Sequence, residues 1–273
     1  MTRVPARVER LASVDSTQRV VRELLDAGEP EVVLAVADHQ TAGRGRHGRT
    51  WVAPPGSALL VSAGFRPDGL APRHGWRLGA IVALAMLDAA EEVAGLRDGT
   101  LALKWPNDLV ADGPDGRLLK VAGVLGESIL DGDRLSAAVV GIGVNGSWRE
   151  AEIPADLAGS VTSLHLLSGG RPFERDALLE AWLARLEPRY LALRSGRFDA
   201  GGWSARQRTT GRRVEVATAS GTVAGIARGV DPESGDLLLI DETDGAARAI
   251  GSGEVVRCRL VELPGRRGGV AGA

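Results

Sequence analysis

Lysine and asparagine are nearly missing from this chain: lysine occurs only at positions 104 and 120, and asparagine only at 107 and 145, although 33 residues are basic. Almost every cation is therefore arginine, and a position that keeps lysine points to a need for a compact ammonium rather than a planar fork. Cysteine is confined to Cys258, which excludes an internal disulfide and leaves the fold to side-chain packing in a reducing compartment. No run of about 18 apolar residues occurs, and the segment from Met1 to Leu11 is charged, which argues against a membrane-spanning helix and a secretory signal and makes the cytoplasm the expected location. An excess of one charge is lacking too. With 33 basic against 35 acidic residues, general attraction to nucleic acid or to an anionic membrane is disfavoured. What is present, 273 residues with 44% hydrophobic and 25% charged side chains, suits a globular protein of one large domain with a small appendage.

Ser16 followed by Thr17-Gln-Arg-Val-Val-Arg-Glu-Leu-Leu predicts an N-capped amphipathic helix with Val20, Val21, Leu24 and Leu25 on one face, ended at Gly28. Glu31 to Asp38 reads as a buried strand, Gln40 to Arg49 as a loop and Ala58 to Phe65 as a second strand. Trp76 to Val93 reads as a core helix and Leu101 to Lys104 as the start of a third strand. Leu118 to Val144 predicts short antiparallel strands about an Asp131-Gly132-Asp133 turn, so an α+β fold is expected, a mixed sheet with helices over one face. Phe173 to Arg194 carries a helical apolar stripe meant for the sheet. Beyond Trp203 five short strands are expected, over Arg213 to Ala217, Thr222 to Gly229, Leu237 to Asp241, Ala246 to Ile250 and Val255 to Val261. They predict a small β-barrel, hence a first domain over 1–210 and a second over 211–273, with Pro264 to Ala273 a frayed tail.

Four segments carry candidate chemistry. Gly43-Arg44-Gly45-Arg46-His47-Gly48-Arg49-Thr50-Trp51 combines glycines, which let backbone approach a ligand, with three arginines suited to carboxylate or phosphate. It is neither a P-loop nor a dinucleotide fingerprint, and its competing reading is a solvated basic loop. Lys104-Trp105-Pro106-Asn107-Asp108 ends a strand with an ammonium, an amide and a carboxylate close together, where a plain turn is the alternative. Lys120, amid apolar neighbours, points into the same pocket if strand alternation holds, or else guards an exposed edge. Gly141-Ile142-Gly143-Val144-Asn145 places an amide at a strand end. Four histidines and one cysteine show no metal-ligand spacing, and no Gly-x-Ser-x-Gly elbow occurs. The inventory favours holding and neutralising anionic reactants over covalent catalysis by the protein.

Taken together with Asp15-Ser16-Thr17 and Gln40, these segments make the chain, from about Ala12 to Val261, resemble a biotin protein ligase in the form without an N-terminal DNA-binding domain. The resemblance implies a catalytic domain related to class II aminoacyl-tRNA synthetases and an SH3-like C-terminal barrel. It implies joining of biotin to ATP as biotinyl-5'-AMP, then transfer to one lysine of a biotin carboxyl carrier domain, with Mg2+ assisting. By position it gives Ser16, Thr17, Gln40, Gly43, Arg44, Trp51, Lys120 and Gly123 to biotin, with Trp51 as an apolar wall. It gives Arg46, Arg49, Trp51, Lys104, Asn107, Asp108 and Asn145 to the nucleotide, with Asp108 the expected magnesium ligand. Lys120, Arg46 and Arg44 become the expected catalytic residues, and the arginine loop an expected lid. Family members often stack an aromatic on the adenine after the Gly141 to Asn145 segment; Ala158 to Leu164 offers none, and neither Trp148 nor any other residue is assigned in its place. A monomer or weak dimer that binds no DNA and no membrane is expected. A lipoate ligase is the nearest rival, and a binding module built on the barrel is the rival from another class.

Overall fold

The computed structural model describes residues 5–252 and 255–261. The chain divides into two compact units, Met1–Arg206 and Gln207–Ala273. In the first unit the elements run β1 (Arg7–Leu11), α1 (Thr17–Asp26), β2 (Val33–Ala37), β3 (Ala58–Phe65), α2 (Trp76–Val93), β4 (Leu101–Lys104), β5 (Asp108–Asp112), β6 (Leu118–Asp131), β7 (Arg134–Asn145), α3 (Leu164–Leu167), α4 (Arg175–Arg194) and α5 (Ala200–Ala205). The seven strands form one mixed sheet in the order β1-β2-β3-β7-β6-β5-β4, in which only β1 and β2 are parallel neighbours.

Two strands escape the sequence pattern. β1 is short, mostly exposed and charged, and pairs with the sheet edge through Arg7 to Leu11. β5 follows the Lys104 to Asp108 turn at once, so that segment is the bend of a hairpin rather than a strand end followed by loop. The region from 118 to 145 is also a single long hairpin, not a set of short strands: β6 and β7 pair almost throughout, and Asp131 pairs with Arg134 across the expected turn. α4 starts at Arg175, two residues after the expected Phe173.

Helices cover both faces of the sheet, which corrects the expectation of one covered face. α1 buries Val21 and Leu25 against Val33, Ala35 and Val139, with Ala137 beside them. Strand alternation sets Val124 and Ile142 on the opposite face, where Gly79 of α2 lies 3.8 Å from Val124 on adding a Cβ. α4 lies on α2, and Trp182 donates its indole N–H to the Val82 carbonyl at 3.2 Å. The stripe on Phe173 to Arg194 therefore serves α2 more than the sheet, which it meets at β3.

The second unit holds β8 (Arg213–Thr218), β9 (Gly221–Val230), β10 (Leu237–Asp241), β11 (Ala247–Ile250) and β12 (Val255–Val261) in an antiparallel sheet ordered β11-β10-β9-β8-β12. Its buried side is Val214, Val216, Ala227, Leu237, Leu239 and Ile250. The tail Pro264 to Ala273 lies outside the described residues.

Candidate active site

Past the half covered by α1, the same sheet face carries glycines, and other parts of the chain lie directly on its backbone, forming the floor and wall of a candidate cleft. Gly123 of β6 and Gly143 of β7 are cross-strand partners, and Gly141 pairs with Ser62 on one side and Leu125 on the other. The Trp51 indole rests on this floor: a Cβ on Gly143 would lie 2.5 Å from its ring, and one on Gly123 would lie 3.1 Å away. Gly141 is covered by Gln18 and Ser62, at 3.1 and 3.0 Å from a Cβ. The intervening Ile142 and Val144 are buried, 3% and 1% exposed, on the side of α2. Alternation thus makes one strand both core and cleft floor.

Lys120 reaches the cleft through a β-bulge. Asp108 pairs with Gly123 and Leu109 with Ala122, but the next pair is Val110 with Lys120, leaving Val121 as an extra residue. Unbroken alternation would have put Lys120 on the face of Ala122 and Val124; the bulge returns it to the face of Gly123. Its ammonium then donates to Asp108 Oδ1 at 2.6 Å and lies 5.4 Å from the Trp51 ring centroid, over its π face. Lys104, directly across the hairpin from Asp108, stands 3.9 Å from Oδ2. The two lysines of the chain therefore flank one carboxylate.

The arginine loop folds back on itself beside them. Gly45 N–H donates to the Arg49 carbonyl at 2.7 Å and Trp51 N–H to the Gly43 carbonyl at 2.9 Å, with a tight turn at Arg46–Gly48 whose His47 has φ 53°. A Cβ on Gly43 would stand 2.4 Å from the Trp51 carbonyl, so the neck of the loop closes only on glycine. Burial pushes the Arg46 guanidinium below its ordinary range, opposed by Asp108 and reinforced by Arg49, which adds two more charged groups to the field around Asp108. The loop encloses a cavity of about 520 Å³ whose lining includes Leu125 and Glu127 from β6. Arg44 donates to Glu127 Oε1 at 2.8 Å.

A polar relay lies at the start of α1. Gln40 Oε1 accepts from Thr17 N–H at 2.7 Å and from the Thr17 hydroxyl at 3.1 Å, and Thr17 Oγ1 is 2.8 Å from Ser62 Oγ. This fixes the Gln40 amide with Nε2, its donor end, turned towards Gly43. Ser16 occupies the N-cap position but makes no capping bond, and Asp15 accepts from Ser16 N–H at 2.7 Å. Gln18 Nε2 donates to the Leu125 carbonyl at 2.9 Å, tying α1 to β6.

Both asparagines work on backbone. Asn107 Nδ2 donates to the Val124 carbonyl at 2.8 Å and Val124 N–H returns a bond to the Asn107 carbonyl at 2.9 Å, locking the hairpin bend onto β6. Asn145, 3% exposed, donates to the carbonyls of Thr162 at 3.0 Å and Lys120 at 3.4 Å. The Ser160 to Thr162 stretch in turn brackets Lys120, with Lys120 N–H on the Ser160 carbonyl and Thr162 N–H on the Lys120 carbonyl, both at 2.9 Å. Trp148 is buried, 2% exposed among Ala53, Ala58 and Leu60 with Trp51 beside it.

Residues 11–145 match the biotin/lipoate A/B protein ligase family. Over 230 residues the chain is 34% identical to the biotin–(acetyl-CoA-carboxylase) ligase of Mycobacterium tuberculosis, covering 83% of this chain and 79% of that protein. The chain belongs to the biotin protein ligases. It is also 32% identical to the bifunctional ligase/repressor BirA of Bacillus subtilis, over 85% of this chain and 68% of that one. The solved biotin protein ligase from Aquifex aeolicus in complex with biotin and ATP matches the fold with a TM-score of 0.73 at 28% identity, covering 93% of this chain and 99% of that one.

In this biotin protein ligase the fold gathers the sequence-predicted residues into two groups on one sheet face: Thr17 and Gln40 at the relay with Ser16 next to it, and Trp51, Lys104, Asp108, Lys120 and Gly123 at the floor. Arg46 and Arg49 join the second group by charge, and Gly43 closes the loop between the two. Sequence reasoning passed over Ser62, Gln18 and Glu127, each a polar residue inside a strand or helix that reads as ordinary alternation. A polar side chain in the otherwise apolar run Ala58 to Phe65 is the one signal that could have found Ser62.

Proposed function

We propose that the chain is an ATP-dependent biotin protein ligase that forms biotinyl-5'-AMP and passes the biotinyl group to a lysine of a biotin carboxyl carrier domain. The observation that carries this reading is the convergence of Lys120, Lys104 and Arg46 on Asp108, above a glycine floor walled by Trp51. An apolar bicyclic acid fits a floor stripped of side chains, and its carboxylate has cations at hand. In the first half-reaction a carboxylate oxygen of biotin attacks the α-phosphorus of ATP, the new C–O–P linkage forms, and pyrophosphate leaves. Two anions must meet, so cations in a partly desolvated site offset their repulsion. Lys120 and Arg44 take the carboxylate and the forming acyl-phosphate junction; Arg46, Arg49 and Lys104 take the phosphates. In the second half-reaction the carrier lysine, as free amine, attacks the acyl carbon; the C–N bond forms, AMP leaves with the bonding pair, and the amine's proton passes to solvent.

Ser16, Thr17 and Gln40 hold the ureido group, with Gln40 presenting the donor end that the relay fixes. Ser62 supports this set through Thr17. Asn107 and Asn145 act by holding the Asp108 and Lys120 strands, and Asn145 keeps its amide oxygen for the nucleotide. Magnesium would enter with the nucleotide, held by its phosphates, water and the single carboxylate of Asp108 between the two lysines, since no group of three His, Cys, Asp or Glu that could hold a metal occurs among the described residues. Among those residues no helix is long and apolar enough to cross a membrane.

Biotin-dependent exchange of labelled pyrophosphate into ATP, run in parallel with lipoate, tests the reading. Exchange with biotin alone, followed by labelling of a carrier domain, is the expected result; exchange with lipoate alone moves the chain to the other branch of the family, and none with either overturns the ligase reading.

A further inference from the structure

Glu127 has no part in the chemistry assigned so far, yet it sits at the arginine loop. It lies on β6 two residues beyond Leu125 and four beyond Gly123, in unbroken alternation, and therefore on the cleft face. Its backbone pairs with Val139 inside the seven-stranded sheet, so its carboxylate stands on a rigid element. Of the residues lining the loop cavity, only Leu125 and Glu127 come from outside the stretch 41–50. Arg44 Nη2 donates to Glu127 Oε1 at 2.8 Å, and the Arg44 backbone bridges Thr50 on the return limb of the loop. One ion pair thus fastens both limbs to the sheet.

We infer that Glu127 is a positioning residue for Arg44, clamping the arginine loop to β6 and orienting its guanidinium over the cleft. The inference rests on the ligase reading of Arg44 given above. The Arg44 side chain is 55% exposed and that of Glu127 29%, so the pair is too well solvated to hold the fold together. Its effect is geometric. A guanidinium carries five donors in a fixed plane, and a carboxylate on one edge sets the direction in which the others face an anionic ligand. A loop cation without that support samples many rotamers, and misplacement of a group that meets the transition state slows the chemical step.

The experiment compares full-length wild type, Glu127→Ala, Glu127→Gln, Arg44→Ala and the Arg44→Ala/Glu127→Ala double variant. Hydrogen exchange is followed at the amides of 43–51 without substrate, and kcat and KM for biotin are taken from pyrophosphate exchange. Expected is faster loop exchange in Glu127→Ala, a kcat lower by about tenfold, partial recovery in Glu127→Gln, and no further loss when Glu127→Ala is added to Arg44→Ala. Loop exchange equal to wild type, an unchanged kcat, or single effects that multiply in the double variant overturns the clamp. If wild type shows no exchange with biotin, the ligase reading falls, and hydrogen exchange alone still decides whether Glu127 holds the loop.

Discussion

The cleft face of the large sheet is built in two halves that share strands and hydrogen-bond ladders. Beneath α1 it carries Val33, Ala35 and Val139, closed over by Val21 and Leu25. A few residues along, the same β7 and β6 present Gly141, Gly143 and Gly123 to the same side. One half is core and the other a glycine floor beneath Trp51, and what separates them is side-chain volume. The half without side chains still folds because alternate residues, Ile142 and Val144 among them, are buried against the other layer. On the reading proposed above, room for a ligand comes from removing atoms on one face of strands whose stability is secured on the other.

That contrast can be broken at several points. Lys120→Ala, on the open half, should lower the single-turnover rate of adenylate formation by about a hundred- to a thousandfold while biotin affinity, read by titration calorimetry, changes far less; adenylation at the wild-type rate would remove Lys120 from the chemistry. Leu25→Ala, on the closed half, should cost about 2–4 kcal/mol in denaturant unfolding and leave kcat of the folded protein unchanged. Gly143→Ala sits between these cases: its Cβ meets the Trp51 ring at 2.5 Å, so the ring must shift. Overpacking of about 1–3 kcal/mol should appear as weaker biotin binding, about tenfold or more, with the unfolding midpoint near wild type. An unfolding loss as large as that of Leu25→Ala would show that the floor is core after all.

The smallest expected effect is a titration at the seam of the two halves. Arg19 and the Ser16 N–H hold the Asp15 carboxyl down at about 2. Its folded pKa lies below the unfolded value of about 3.9, so its contribution is present above that value and fades as pH falls towards 2. Asp15→Asn should therefore differ slightly from wild type in thermal stability at neutral pH and converge with it at pH near 2.

How much of this was legible in the sequence depends on what each residue does. Of the residue types that are rare in the chain, the structure brings Lys104 and Lys120 together on Asp108 and ties Asn107 and Asn145 to neighbouring backbone, so scarcity picked out residues that the fold places near one another. All five strands of the second unit were legible from turn residues and alternation. β1 was not, since an exposed charged edge strand has no apolar alternation to read. The side that Lys120 faces was expected, but the device was not legible: plain alternation from Gly123 would send it to the face of Ala122 and Val124, and the extra residue Val121 returns it to the side of Gly123 and Asp108. The resemblance sets Asn145 near the nucleotide, and what no local pattern shows is that its amide nitrogen also holds the Thr162 and Lys120 carbonyls, or that the Trp148 ring lies among apolar neighbours. A side chain's partners distant in sequence are what local patterns omit.

The scarcity of lysine has a practical side. An amine-directed reagent finds two side-chain targets in the entire chain, and both stand against Asp108 with side chains only 21% and 31% exposed. Footprinting by such a reagent therefore reports on the cleft without background from the surface. By the same token, immobilising or tagging this protein through its lysines would strike the pair that flanks Asp108, the residues to which the proposed reaction gives the carboxylate and the phosphates.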